Sequence, residues 1–564
     1  MKLSLISTAI TAVLVLSGCG SSNNKETTEQ PVPVTPVPAT PAPVTPEPVK
    51  SALEKLYETP RTNAQKQAIN TWYEAGQAEL AQAQQVFTTT NALASMTLDP
   101  VKSAKISTKK AKNIILFVGD GMGISTVTAA RILAGQKQGQ TGEEYMLSFD
   151  QFPFTALSKT YNTNQQTPDS AGTMTAMMTG VKSKAGVISV GEKVIRGNCA
   201  SVAGNELTSA LTLAELAGKK TGIISTARIT HATPAATYAV SPERNWESDS
   251  NIPSSEKAAG CVDIAQQLVD YNYGDGIEVV LGGGLRQFIP TTEGGKRKDN
   301  QDLTQVWLNK GANRAFVSDK ASLDAVDTAS TDKLMGLFTS SHMSYETDRP
   351  STEPSLTNMT NKALDMLTKD EDKGFFLMVE SGRIDHGHHA GNAYRALTDA
   401  VEFSNAIEAA VKHQNIDLSE TLIIVTADHS HVFTIAGYPT RGNPILGKVI
   451  TNDSAGNPEL NPSLDLNGMP YTTVGYTNGP GAWLDGAKLE KNNNGRVDLS
   501  QIDTSRSDFN QEALVPLGSE THAGEDVGIY AVGPWAHLFQ GTLEQNLIFH
   551  VMNHAGELTQ QANL

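Results

Sequence analysis

The sequence predicts an α/β fold, a mostly parallel sheet flanked by helices on both faces. Three observations carry this. Six short runs are continuously apolar, helical-period segments separate them, and acidic residues or histidine stand within three residues after three of the runs. A strand covered on both faces reads as an unbroken apolar run rather than an alternating one, and parallel strands need covering crossovers. In chain order the runs are Asn113–Val118, Thr221–Ser225, Ile277–Leu281, Phe375–Val379, Thr421–Val425 and Val527–Val532. The helical patterns are Ile124–Ala134, Ser170–Thr179, Leu207–Ala217, Asn358–Leu367 and Asn392–Val411. Ligands of such sheets bind beyond the carboxyl ends of the strands.

The chain has 564 residues, 39% hydrophobic and 18% charged, enough apolar material for a large core. Lys plus Arg number 44 against 60 Asp plus Glu, a net charge of −16 with no basic run, which argues against nucleic acid as the main partner. Lys2, the apolar-leaning Leu3–Leu16 and then Leu16-Ser-Gly-Cys19 resemble a bacterial lipoprotein signal, so residues 1–18 read as the signal peptide and Cys19 as the lipidated N-terminus. Residues 19–50 form a linker, with 8 prolines between Pro31 and Pro48 that favour a stiff polyproline II spacer. Residues 51–105 read as a helical extension broken at Pro60, and 106–564 as the main domain. With Cys19 consumed by lipid, Cys199 and Cys261 remain, and an oxidising compartment predicts one disulfide between them.

The chemistry lies at the strand ends. Asp120 follows the first run, Glu380 the fourth, and Asp428 with His429 the fifth. Carboxylates gathered in one crevice repel each other, and cations are the natural remedy. Gly119-Asp-Gly-Met-Gly123 is not a dinucleotide fingerprint, because the pattern is wrong and Asp120 would face a pyrophosphate. In Ile384-Asp-His-Gly-His-His-Ala390, Asp385 and His389 stand i, i+4 on one helical face, a spacing that suits one tetrahedral zinc. His522 is a candidate third ligand. Ser170 opens a helix, where free N–H groups and the macrodipole favour an alkoxide or a phosphate, although Asp169 or Ser170 serves equally as a plain cap. No histidine adjoins Ser170 in sequence, so a metal would have to activate its hydroxyl.

Taken together, Gly119-Asp120-Gly-Met-Gly, Asp169-Ser170-Ala, His231-Ala-Thr233-Pro, Arg244-Asn-Trp, Glu380-Ser-Gly-Arg-Ile-Asp385-His-Gly-His-His389, Thr426-Ala-Asp428-His429 and Glu520-Thr-His522 resemble the alkaline phosphatases, in the same order. The resemblance spans roughly Lys112 to Ala555. It implies hydrolysis of small phosphate monoesters through a phosphoserine at Ser170, with two zinc ions and one magnesium. By that resemblance Asp385, His389 and His522 hold one zinc; Asp120, Asp428 and His429, bridged by Ser170, hold the other; and Asp120, Thr233 and Glu380 hold magnesium, while Arg244 clamps phosphate oxygens. His231 stands where enteric bacterial members carry Asp, and His386 where they carry Lys; both match the animal-type pattern. His231 is therefore assigned to the metal set and His386 to substrate binding. The resemblance also implies a variable insertion at about 433–519, a lobe near the site mouth. The expected setting is a lipid anchor in a bacterial membrane with the catalytic domain periplasmic or extracellular. The oligomeric state is left open, with a homodimer among the options. A phosphodiesterase or sulfatase of the same superfamily, or a lipoprotein that binds phosphate without turnover, are the rival readings.

Overall fold

The computed structural model describes residues 52–94, 106–369, 372–493 and 495–564. Cys19, the signal segment and the proline-rich linker lie outside them.

Strand β1 (Asn113–Gly119) runs near the middle of a ten-stranded sheet. The other strands are β2 (Phe154–Lys159), β3 (Lys220–Arg228), β4 (Val279–Gly283), β5 (Arg314–Val317), β6 (Lys333–Leu337), β7 (Phe375–Ser381) and β8 (Thr421–Ala427), with Val527–Val532 and Thr542–Glu544. Their order is Thr542–Glu544, β2, Val527–Val532, β8, β1, β7, β3, β4, β6, β5. Only Val527–Val532 is antiparallel to its neighbours, β2 and β8.

The apolar runs are strands because every residue is buried on one face or the other. Ile114, Leu116 and Val118 join Phe376, Met378, Leu422 and Ile424 in one core. That core is covered by α4 (Ser170–Thr179) and the helix Leu547–Gly556, through Met174, Met177, Met178 and Phe549. The residues between them, Ile115, Phe117, Leu377, Ile423 and Val425, face the opposite core. There α3 (Ile124–Lys137) and the helices Leu356–Leu367 and Ala393–Lys412 close over them. The period-2 geometry of a strand thus splits one apolar run between two helical layers.

The sheet edge carrying the chemistry follows from register. Val118 of β1 lies opposite Glu380 of β7 and Thr426 of β8, and Glu380 lies opposite Ser225 of β3. The residues that follow β8, β1, β7 and β3 therefore leave the sheet side by side.

Two expectations are corrected. Pro60 does not break the first helix: α1 runs Ala52–Ala68 through it, and the break falls at Asn70, ahead of α2 (Thr71–Ala94). The Asn70 side chain accepts the Trp72 N–H at 2.9 Å, a cap that starts the new helix, while Pro60 is buried and its carbonyl accepts the Thr208 hydroxyl. The strands β2, β5, β6 and Thr542–Glu544 were absent from the sequence reading. β2 and β5 show partly exposed, mixed patterns, as edge and near-edge strands do.

Between His431 and His522 the chain forms a lobe with its own small core of Ala482, Val497, Leu499 and Phe509. A three-stranded sheet of Phe433–Ile435, Val474–Gly479 and Ala513–Pro516 supports it. A short antiparallel ladder pairs His431 with His522 and ties the two ends of the lobe together at the site. Cys199 and Cys261 form a disulfide, with Cα atoms 5.7 Å apart.

Candidate active site and metal centre

Ser170 is the first residue of α4 and is 2% exposed. Asp169 is the cap: its Oδ1 accepts the Gly172 N–H at 3.1 Å. Its Oδ2 accepts both the Gly186 N–H at 2.8 Å and Arg244 Nη1 at 3.0 Å. One carboxylate thus fixes the helix start and holds the guanidinium beside it. The cap falls on Asp169 and not on Ser170. Ser170 Oγ lies 3.2 Å from His429 Nε2. A histidine remote in sequence is therefore next to the hydroxyl in space.

His429 Nε2 is also 3.3 Å from Asp428 Oδ2 and 3.5 Å from Asp120 Oδ1, so the second predicted ligand set converges. Asp428 is oriented by the N–H groups of Gly121 and His429, which its Oδ1 accepts at 3.0 and 2.9 Å. Gly121 has φ +69°, and a Cβ there would lie 2.3 Å from His431 Nε2, so both conformation and space require glycine.

The first predicted set converges as well. His389 Nε2 and His522 Nε2 lie 3.0 Å apart, at 3.3 and 3.4 Å from Asp385 Oδ1. The tautomers are set from behind. His389 Nδ1–H donates to the Glu520 carbonyl at 2.6 Å and His522 Nδ1–H to the Pro168 carbonyl at 2.8 Å. Both Nε2 lone pairs are left facing the carboxylate, as a metal-ligating pair requires.

The third set gathers Asp120, Glu380, Thr233 and His231. Ligand atoms of Asp120, His231 and Glu380 lie within 4.8 Å of one another. Both Asp120 carboxylate oxygens, Glu380 Oε1 and Thr233 Oγ1 are buried without a hydrogen-bond partner. Burial, then Asp428, Asp385 and Glu380, push the Asp120 carboxyl well above the usual range. Burial pushes Glu380 up to about 8. Glu380 Oε2 accepts the Ser225 hydroxyl, but the remaining buried oxygens have no donor, and such oxygens are the donor set of a hard divalent cation. These residues fit the metals that the sequence implies. His386 joins His231 in a neighbouring cluster with His342, the three offering ligand atoms within 4.8 Å of one another, its ring 5.5 Å from that of His231 and 4.0 Å from that of His342.

The sequence reading missed His431 and gave Glu520 no role. His431 donates from Nε2 to Asp385 Oδ1 at 2.9 Å and from Nδ1 to Glu520 Oε2 at 2.6 Å. Burial opposes its charge, but Glu520 and Asp385, the two carboxylates it links, raise it to about 10. The available signal was Asp428-His-Ser-His431: alternation along an extended segment puts His429 and His431 on one side.

Comparison with known proteins agrees with this arrangement. The alkaline phosphatase family matches residues 111–558. The tissue-nonspecific alkaline phosphatase of Gallus gallus is 45% identical over 472 residues, covering 81% of this chain and 86% of that protein. The alkaline phosphatase of Gadus morhua is 43% identical over 480 residues, covering 82% and 96%. Among solved structures, the alkaline phosphatase of Thermus thermophilus superposes with TM-score 0.55 at 23% identity, covering 82% of this chain and 96% of that one. The enzyme of the Antarctic bacterium TAB5 gives TM-score 0.53 at 23% identity, covering 80% and 99%. Sequence, fold and site thus agree, and the chain belongs to the alkaline phosphatase family as an enzyme that hydrolyses phosphate monoesters.

Proposed function

We propose that hydrolysis proceeds through a phosphoserine at Ser170, in a site holding two zinc ions and one magnesium. The observation that carries this reading is the position of Ser170 Oγ, buried at a helix N-terminus and 3.2 Å from His429 Nε2. The Asp385–His389–His522 and Asp120–Asp428–His429 sets, with imidazole nitrogens and carboxylates, suit zinc, and the all-oxygen core of Asp120, Glu380 and Thr233 suits magnesium. When bound, such cations lower the pKa of the serine hydroxyl and take up charge on the leaving oxygen. The chain's own residues supply the rest. Arg244, held by Asp169, offers a planar pair of donors to phosphate oxygens. The positive end of the α4 dipole at Ser170 favours the same anion. Ser170 forms the bond to phosphorus as the ester oxygen departs, and water later releases inorganic phosphate.

The test is an acid quench with labelled substrate followed by peptide mapping. Label on Ser170, and its loss in Ser170→Ala together with most turnover, is the expected result. Label elsewhere, or wild-type turnover in Ser170→Ala, would move the chemistry to direct attack by water.

The setting proposed is a bacterial membrane, reached through lipid on Cys19, with the catalytic domain facing the periplasm or the exterior. The Leu16–Cys19 signature supports it, and among the described residues no helix is long and apolar enough to cross a membrane. Cys19→Ala should move the enzyme from membrane to soluble fractions; unchanged partition would count against the anchor.

A further inference from the structure

The same sheet edge carries charge that the reaction at Ser170 does not use. Arg228 ends β3, Arg286 follows β4, His342 follows β6 and Arg383 follows β7. The segments are stitched together: Gly284 and Leu285 N–H groups donate to the Thr339 carbonyl and the Arg286 N–H to that of Ser340. Met343 N–H donates to the Thr226 carbonyl, and Arg383 N–H to the Thr226 hydroxyl. The His342 ring lies 4.0 Å from that of His386, which shares its helix with Asp385 and His389. This group therefore adjoins the metal centre.

The guanidiniums differ in their partners. Arg228 pairs with Glu247 through two contacts of 2.7 Å, and its Nη1 meets His342 Nε2. Arg286 and Arg383 have no carboxylate ion pair among the described residues, and the Nε of each is buried without an acceptor. Arg383 is held in place by Tyr345, its guanidinium 3.7 Å from the ring centroid. Glu247 is occupied by Arg228, and the buried Asp399, which accepts the Glu346 N–H at 3.1 Å, is the carboxyl that the Arg383 charge acts on. Two half-buried guanidiniums, each with a buried Nε that finds no acceptor, leave charged donors open to an anion.

We propose that Arg286 and Arg383 form a second anion subsite beside the phosphate site. It takes phosphate monoesters whose leaving group carries a further anionic group. The inference rests on the phosphomonoesterase reading and deepens it. Arg244 recognises the phosphate that is transferred; the new subsite recognises a carboxylate or phosphate that remains on the leaving alcohol. Recognition is by charge-assisted hydrogen bonds from a preorganised fork, which a neutral leaving group does not engage.

The experiment compares two matched substrates, phenyl phosphate and 3-carboxyphenyl phosphate, in the metal-loaded wild type, Arg286→Gln and Arg383→Gln. The carboxylated substrate should lose roughly ten-fold in kcat/KM, mainly through KM, on removal of one charge-assisted contact. Phenyl phosphate should stay within about two-fold, which also reports that the variants are folded. Arg383→Lys should recover part of the loss, since charge is kept and the fork is not. Equal losses on both substrates, or no loss on either, would overturn the subsite. Failure of the wild type on both substrates would instead overturn the phosphomonoesterase reading beneath it.

Discussion

Asp169 shows how a single residue serves both stability and chemistry. Its Oδ1 caps α4 and its Oδ2 orients Arg244. Asp169→Ala should cost about 1 kcal/mol of stability for the cap. It should also reduce kcat/KM roughly ten-fold by freeing Arg244. Thermal unfolding with kinetics checks this, and a lost cap with unaltered kinetics would show that Arg244 needs no such support. His431 works at one remove. It touches Asp385 and Glu520, and Glu520 in turn fixes His389 through its carbonyl. His431→Ala should weaken zinc binding at the Asp385 set by about 10–100-fold. Competition with a fluorescent chelator measures this, and His431→Gln, which keeps one donor, should fall between. An unchanged affinity in His431→Ala would make the ring a bystander.

At the scale of elements, what was legible depended on burial. The runs behind β1, β7 and β8 are buried along their whole length, so each reads as unbroken apolar sequence, and the residues ending them were found with them. The pattern of β2 is intermediate, exposed, buried, exposed, buried, intermediate, and no local signal separates that from a loop. The residues that converge in the crevice were legible because they follow buried strands or share a helical face; His342 was not, because the loop after β6 has no periodicity. The N-terminal hairpin was read as helical but its docking could not be. Tyr73 and Gly76 of α2 pack on His550 of Leu547–Gly556, with ring centroids 4.6 Å apart and no room for a Cβ at Gly76. Burial lowers His550 to about 4. Its folded pKa lies below the unfolded value of about 6.5. The stability it contributes is therefore complete above pH about 6.5 and lost as pH falls toward about 4. Between pH 7 and 5 the loss should be about 1–2 kcal/mol. Urea titrations of wild type and His550→Phe test it: the variant should lose less over that interval, and equal losses would put the acid sensitivity elsewhere.

At the scale of the whole molecule, the crosslink and the metal centre constrain different things. The Cys199–Cys261 bond closes a loop with a sequence separation of 62. Its removal should cost about 4 kcal/mol on the chain-entropy account. Reduction followed by thermal unfolding measures it, and a loss below about 1 kcal/mol would contradict that account. The metal centre makes the stronger prediction because its sign reverses. Asp120, Glu380, Asp385 and Asp428 are each at most 3% exposed and converge on one crevice. Without cations they repel, and each pays for lost hydration; with cations the same charges bind, and binding to the native state alone raises stability by mass action. Asp120→Asn removes one charge and keeps the shape. In excess chelator the variant should be more stable than wild type, by about 1–3 kcal/mol, because a buried like charge has gone. With zinc and magnesium restored it should be less stable than wild type, because a shared ligand has gone. A plain packing role for Asp120 would shift stability the same way in both conditions. Calorimetry of both proteins, with and without metals, decides the matter, and a change of the same sign in both would remove Asp120 from the metal set.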